Sequence, residues 1–188
     1  MPDVSQIARH ESWQLSIVSD GRSVAPLRWY GVRTRSRSES LTATVLKNKG
    51  YEPYLPVYRK RRHWSDRTVT VESALFPGYV FCRFDPKKRL PVMTTPGVIS
   101  IVSCGTEPAP IPEEQMRAVQ ELERSGLAST PWPYLKSGDR VRVTRGALEG
   151  VEGVLIREKS EYRFIVSIDL LQRSVATEID RDWVEPIK

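Results

Sequence analysis

Leu75-Phe76-Pro77-Gly78-Tyr79-Val80-Phe81-Cys82-Arg83-Phe84 is the stretch that decides how this chain is read. Pro77-Gly78 makes a corner, and the six residues after it are dominated by aromatic and β-branched types, which marks a strand. Side chains alternate between the two faces of a strand. Tyr79, Phe81 and Arg83 therefore share one face, and Val80, Cys82 and Phe84 share the other. Both faces are apolar over most of their length, whereas a half-solvated strand alternates apolar with polar residues. One face must fill a core. The other is covered by a helix of the same domain or by a partner, and the residues leave that choice open.

Upstream, Arg28-Trp29-Tyr30-Gly31-Val32-Arg33-Thr34 reads as another strand. Ser36-Arg37-Ser38-Glu39 fits a capping box, with Ser36 bonding the third backbone N–H and Glu39 reaching back. The helix that follows has Leu41 and Val45 on one face, and Gly50 closes it. Residues 51–57 read as a strand that Pro53 and Pro56 either confine to an edge or interrupt. A basic segment, 58–64, leads into a β-like run at 68–71. Downstream, Asp85-Pro86 caps and starts a short helix with Lys87, Lys88 and Arg89. Residues 97–102 form a strand. A last helix begins near Pro112, carries Met116, Val119 and Leu122 on one side, and stops at Gly126. The order β-α-β-β-β-α-β-α predicts an α+β domain over residues 27–128, its largely antiparallel sheet flanked by helices.

Residues 129–135, with Pro131 and Pro133, read as a semi-rigid linker. From 136 to 188 the character changes. Arg140-Val141-Arg142-Val143 alternates, and Gly146, Gly150 and Gly153 punctuate short strands, a pattern that predicts a small all-β barrel. Residues 1–26 form a leader with an apolar island at Trp13, Leu15, Ile17 and Val18, either an extra strand or an arm without fixed structure.

The chain has 188 residues, 39% hydrophobic and 28% charged, which fits a soluble globular protein of one domain or two small ones. No apolar run approaches the ~20 residues of a membrane span, and no secretory signal is evident, so the expected location is cytoplasmic, with no membrane partner. Two cysteines, Cys82 and Cys104, exclude a disulfide scaffold. His10 and His63 have no carboxylate or cysteine at ligand spacing, and no glycine-rich phosphate loop occurs. Cys82 sits among apolar strand residues, where a thiol is inert. The expectation is a protein that is not an enzyme and holds no cofactor or metal.

The net charge of +6 is unevenly spread. Residues 1–27 carry 2 basic and 3 acidic residues, and residues 28–72 carry 11 and 4. Residues 73–130 carry 6 and 6, and residues 131–188 carry 10 and 10. A concentrated excess points to an anionic partner; on charge alone, a solvated basic surface fits equally well.

Trp29-Tyr30, the Phe76-Pro77-Gly78-Tyr79 segment and Thr95-Pro96-Gly97-Val98 together resemble the N-terminal domain of NusG-type transcription elongation factors. Ser137-Gly138-Asp139-Arg140-Val141-Arg142-Val143 through Gly146-Ala147-Leu148-Glu149-Gly150-Val151-Glu152-Gly153 resembles a KOW motif, which implies an SH3-like barrel. The resemblance covers roughly residues 27–188. It implies a factor that binds RNA polymerase across its DNA cleft, on the clamp helices and the opposing lobe, and suppresses pausing or termination. The polymerase contacts it implies fall on Phe76, Tyr79, Phe81, Thr94 and Thr95. Arg35 and the set Arg59, Lys60, Arg61, Arg62 and Arg67 around Trp64 correspond to the surface facing upstream or non-template DNA, where basic and aromatic residues suit a backbone with a stacked base.

The chain departs from the housekeeping pattern at Ser167-Ile168-Asp169-Leu170-Leu171-Gln172-Arg173-Ser174, where an aromatic-Gly-Arg turn is usual. The turn and the leader are more similar to specialised paralogs of the RfaH and UpxY kind, acting on selected operons. In the family this surface binds Rho or a small-subunit ribosomal protein. The departure argues against Rho and leaves Leu170 and Leu171 as the expected contacts for a ribosomal protein. The rival function is a ribosome-associated or RNA-binding KOW protein. An RNA-binding barrel should be basic, and the balance of 10 against 10 in residues 131–188 speaks against it.

Overall fold

The computed structural model describes residues 27–63, 67–134, 138–158 and 160–187, without the side chains of residues 61–63 and 158. The expectations for residues 1–26 and for Trp64 lie outside the described residues. The N-terminal unit runs β1 (Arg28–Thr34), α1 (Glu39–Asn48), β2 (Glu52–Tyr54), β3 (Val57–His63), β4 (Thr68–Ala74), β5 (Tyr79–Phe84), α2 (Leu90–Met93), β6 (Val98–Ile101), β7 (Ser103–Cys104), β8 (Glu107–Pro108), β9 (Pro110–Ile111) and α3 (Glu113–Arg124). Its main sheet has the order β2-β5-β1-β6, with β9 also paired to β1, and all pairings are antiparallel. As Pro53 requires, β2 lies at an edge. Strands β3 and β4 form a separate two-stranded hairpin.

The two faces of β5 enter two different cores. Val80, Cys82 and Phe84 pack with Tyr30, Val32, Leu46 and Val92, beneath α1 and α2. Phe81 packs with Trp29, Phe76, Met116, Val119 and Leu122, beneath α3. The helical spacing of those last three residues is the stripe read from the sequence, and all three are buried. Asp85 accepts the Lys87 backbone N–H at 3.0 Å and opens a one-turn 3-10 segment, as expected.

Helix α1 departs from its expectation. Its N-cap is Ser38, which makes no side-chain capping bond, and Glu39 is its first residue. The Glu39 carboxylate instead accepts the Gly78 backbone N–H at 2.8 Å, across 39 positions of sequence. The buried face is Thr42 and Leu46, not Leu41 and Val45; Leu41 is 58% exposed. Both pairs have the same i, i+4 spacing. Thr42 is buried because its hydroxyl donates to the Pro96 carbonyl at 3.1 Å.

The C-terminal unit is a six-stranded antiparallel sheet made from β10 (Ser129–Trp132), β11 (Asp139–Val143), β12 (Glu152–Glu158), β13 (Glu161–Ile168), β14 (Arg173–Glu178) and β15 (Val184–Pro186), in the order β10-β14-β13-β12-β11-β15. The segment read as a linker is thus largely a strand: Ser129 to Trp132 pair with Thr177 to Ser174. Pro131 is tolerated because β10 is an edge strand. Val141, Val143, Leu148, Phe164, Val166, Ile168 and Val175 fill this sheet's core, and one contiguous apolar cluster joins them to Trp29, Phe81 and the buried face of α3.

Replacing Glu39 with Ala removes the acceptor for a part-buried N–H, so the variant should lose about 1–3 kcal/mol in a denaturant titration. Glu39→Gln, which keeps an acceptor oxygen, should lose less. Equal stability of the Ala variant and the parent would mean that water serves the Gly78 amide.

Candidate functional site

The corner before β5 is pinned at several points. Gly78 (φ +83°) donates to Glu39, and its carbonyl accepts from the Thr34 N–H at 2.8 Å. Phe76 meets Phe81 edge-on at 5.2 Å. Both are core residues, 1% and 0% exposed, while Tyr79 is half-buried. The choice left open by the sequence is decided here: α3 of the same chain covers the second face of β5. Tyr54 anchors that helix, its hydroxyl donating to Glu123 at 2.7 Å, and the other Glu123 oxygen accepts the Val57 N–H at 3.3 Å. Burial, reinforced by this bond, pushes the Tyr54 phenol well above its ordinary value and keeps it the donor. The Trp29 indole lies 6.3 Å from Tyr54 and 5.7 Å from the Arg83 guanidinium, and its buried N–H has no acceptor among the described residues.

Thr94 and Thr95 are not gathered with these aromatics. They close α2, which packs in the layer on the Val80 face. Thr95 is buried, its hydroxyl donating to the Pro91 carbonyl at 2.9 Å and accepting from Lys49 Nζ at 2.9 Å. Thr94 is exposed, and its hydroxyl donates to the Leu90 carbonyl at 3.0 Å. Of the five residues expected to touch one partner, Phe76, Phe81 and Thr95 are buried, and Tyr79 and Thr94 reach the surface in two separate places.

The basic residues are distributed over the β3–β4 hairpin and the end of β1. Arg59, Lys60 and Arg67 are exposed, and the backbones of Arg61 and Arg62 lie opposite Thr70 and Val69. Arg59 stands opposite Glu72 and pairs with it at 3.7 Å. Both side chains are largely in water, where such a pair contributes at most about 1 kcal/mol. Arg35 is exposed in the turn after β1, its N–H bonded to the Gly97 carbonyl at 2.8 Å. Arg33 and Arg37, not singled out from the sequence, are exposed on either side of it. The alternation Arg33, Arg35, Arg37 was the signal available for them. Arg33 lies opposite Tyr79, so the Arg33–Arg37 segment adjoins the start of β5, whereas Arg59 to Arg62 run along the hairpin away from its Val57–Ala74 base.

Leu170 and Leu171 are turned inward. Asp169–Leu171 form a 3-10 turn, and Leu171 is 6% exposed. Its Cδ2 would stand 2.9 Å from a Cβ at position 31, so the bare backbone of Gly31 makes room for it. Beside it, Asp169 accepts from Gln115 Nε2 and from the Tyr134 hydroxyl, each at 2.8 Å, and its own N–H donates to Gln115 Oε1 at 3.2 Å. No local sequence signal marks Gly31, Gln115, Tyr134 and Asp169 as a group, because they come from four separate segments. Among the described residues no helix is long and apolar enough to cross a membrane, and no group of three or more His, Cys, Asp or Glu could hold a metal ion.

A family model described as "Transcription termination factor nusG" matches residues 27–120. The chain is 26% identical over 178 residues to the transcription termination/antitermination protein NusG of Thermus thermophilus, covering 82% of this chain and 95% of that one. It is 23% identical over 177 residues to the NusG of Helicobacter pylori, covering 85% and 98%. A solved structure of Thermotoga maritima NusG, described as a domain interaction in that protein, matches with a TM-score of 0.52 at 23% identity, covering 86% of this chain and 98% of that chain. That last likeness speaks to the fold. The matches define the class as a transcription termination/antitermination factor. The chain belongs to the NusG family.

Truncating Leu171 to Ala leaves a void at the contact between the two units. Amide hydrogen exchange of Gly31 and Val102 should speed up by tenfold or more, in line with the ~2 kcal/mol such a truncation costs at a buried site. Unchanged protection at those amides would show that Leu171 adds nothing to the contact.

Proposed function

We propose that this chain is an elongation and antitermination factor that docks on RNA polymerase across its DNA cleft and touches upstream or non-template DNA. The observation that carries the reading is the meeting, at the start of β5, of the Phe76–Tyr79 corner with the exposed Arg33, Arg35 and Arg37. The two separate surfaces of the N-terminal unit suit two polymerase contacts. Tyr79 serves the clamp helices, with Phe76 and Phe81 supporting it from beneath, and Thr94 with its neighbours serves the opposing lobe. The C-terminal sheet is a KOW barrel of the SH3-like type, a reading supported by its strand order and by Gly146 and Gly150 in the left-handed region. Its Leu170-Leu171 turn, read with the leader, supports a specialised paralog acting on selected operons. A ribosomal protein reaches Leu171 only when the turn leaves Gly31.

The test of docking separates surface from core. Tyr79→Ala should weaken binding to core polymerase about tenfold or more while the protein stays folded, with a smaller stability loss than Phe81→Ala because Tyr79 is only half-buried. Phe81→Ala should instead lose about 3–5 kcal/mol of stability. Full polymerase affinity in a folded Tyr79→Ala protein would remove the corner from the interface.

The hairpin gives a second test. Changing Arg59, Lys60, Arg61 and Arg62 to Ala should flatten the log–log salt dependence of DNA affinity by about 3 if all four neutralise phosphates. Glu72→Gln frees Arg59 from its carboxylate and should steepen the slope by up to ~0.9. A slope indifferent to both changes would mean that the hairpin is only solvated.

A further inference from the structure

The C-terminal sheet has a recess of about 630 Å³ between the loop after β11, the β12–β13 turn and the segment joining β14 to β15. Leu148, Tyr162, Ile179 and Trp183 make its apolar wall. No residue of the 169–171 turn and none of the hairpin lines it, so the surfaces already described do not account for it.

Trp183 is the informative member. Its carbonyl accepts from the Thr144 N–H at 2.8 Å and from the Thr144 hydroxyl at 3.1 Å, and its N–H donates to the Asp180 carbonyl at 3.1 Å. Its ring lies against Gly146, where a Cβ would come within 2.9 Å of Cζ3. The backbone of Trp183 is thus held and its ring rests on Gly146, yet the residue remains 38% exposed. A core residue gains from burial, and a solvated one gains nothing from being held still. An aromatic ring seated on held backbone and still open to solvent costs little further ordering on binding, which suits a binding anchor.

The charges select the ligand. Among the described residues the lining carries Glu161, Glu178 and Asp180 against Arg145. Arg163 divides itself between Glu161 at 3.4 Å and Glu178 at 3.6 Å, so among the described residues the rim keeps one carboxylate in excess. An acidic rim repels nucleic acid and anionic ligands, and attracts a cation beside the group that fills the recess. The recess differs in this from the basic hairpin and must serve a different partner. We infer that it is a peptide-docking site for a protein segment in which a large apolar side chain adjoins a lysine or arginine. The apolar side chain packs on Trp183, and the cation meets Asp180 and Glu178.

The experiment is a nuclear magnetic resonance titration of the full chain with a capped Lys-Phe-Lys peptide, with Lys-Gly-Lys and Glu-Phe-Glu as controls. Saturable shifts of the Trp183 indole N–H and of the Gly146 and Ile179 amides are expected with Lys-Phe-Lys, and little response to either control. Trp183→Ala should weaken binding about tenfold or more. The double change Glu178→Gln with Asp180→Asn, at two exposed side chains, should weaken it about threefold or more and remove its salt dependence. That variant decides the matter should Trp183→Ala fail to fold. Absence of shifts at those three resonances, an equal response to either control, or binding undiminished in the double variant overturns the inference.

Discussion

The burial of both faces of β5 is the constraint on which the N-terminal unit depends. Val80, Cys82 and Phe84 on one face and Phe81 on the other are no more than 1% exposed. A strand so placed needs a layer on each side, and the chain supplies α1 with α2 for one and α3 for the other. Tyr30 packs on Phe84 at 4.6 Å in the first layer, and Phe76 on Phe81 at 5.2 Å in the second. The Cys82 thiol records how dry the first layer is, since burial pushes it up to about 12. The acid at the start of α1 completes the arrangement, because Glu39 holds the corner from which β5 begins.

Helix α3 has a second consequence. Its buried stripe faces the main sheet, while Gln115 on its flank bonds Asp169 of the C-terminal unit. The helix therefore belongs to both units, and the apolar cluster beneath it continues into the C-terminal sheet. A cleft of about 990 Å³ remains between α3 and that sheet, lined by Ala118, Ile165 and Ser167 among others. Beside that cluster the contact between the units includes a leucine in a glycine notch and a three-way polar clasp. Such contacts are held by fit, so the loss of one member loosens the whole. The charge is divided in a parallel way: the N-terminal unit has the basic excess, and the neutral C-terminal unit keeps a locally acidic recess.

Much of the fold was legible because its signals are local. The two-sided β5, the Asp85 cap, the Gly50 stop and the stripe on α3 each rest on a few neighbouring residues whose chemistry allows one arrangement. The misreadings arose where local patterns are degenerate. Ser36 and Glu39 have capping-box spacing, but the partner of Glu39 is Gly78. Leu41 with Val45 and Thr42 with Leu46 have equal helical spacing, and the Pro96 carbonyl that accepts from Thr42 selects between them. Residues 129–135 look like a linker until the edge of β14, more than forty positions later, offers them a pairing partner.

The candidate site divides along the same line. The sequence by itself determined which residues carry chemistry: the aromatic corner, the basic run and the apolar turn at Leu170-Leu171. It also determined that both faces of β5 must be covered, since that follows from alternation along a single strand. Only the tertiary structure decided what covers them, and hence that Phe76 and Phe81 are core while Tyr79 is half-open. Only it turned Leu171 inward onto Gly31 and set Arg59 against Glu72. The physical reason is that a side chain's type and parity are properties of the chain, whereas its exposure is a property of what packs against it. Those neighbours come from α3, β1 and β14, distant segments whose approach no local pattern encodes.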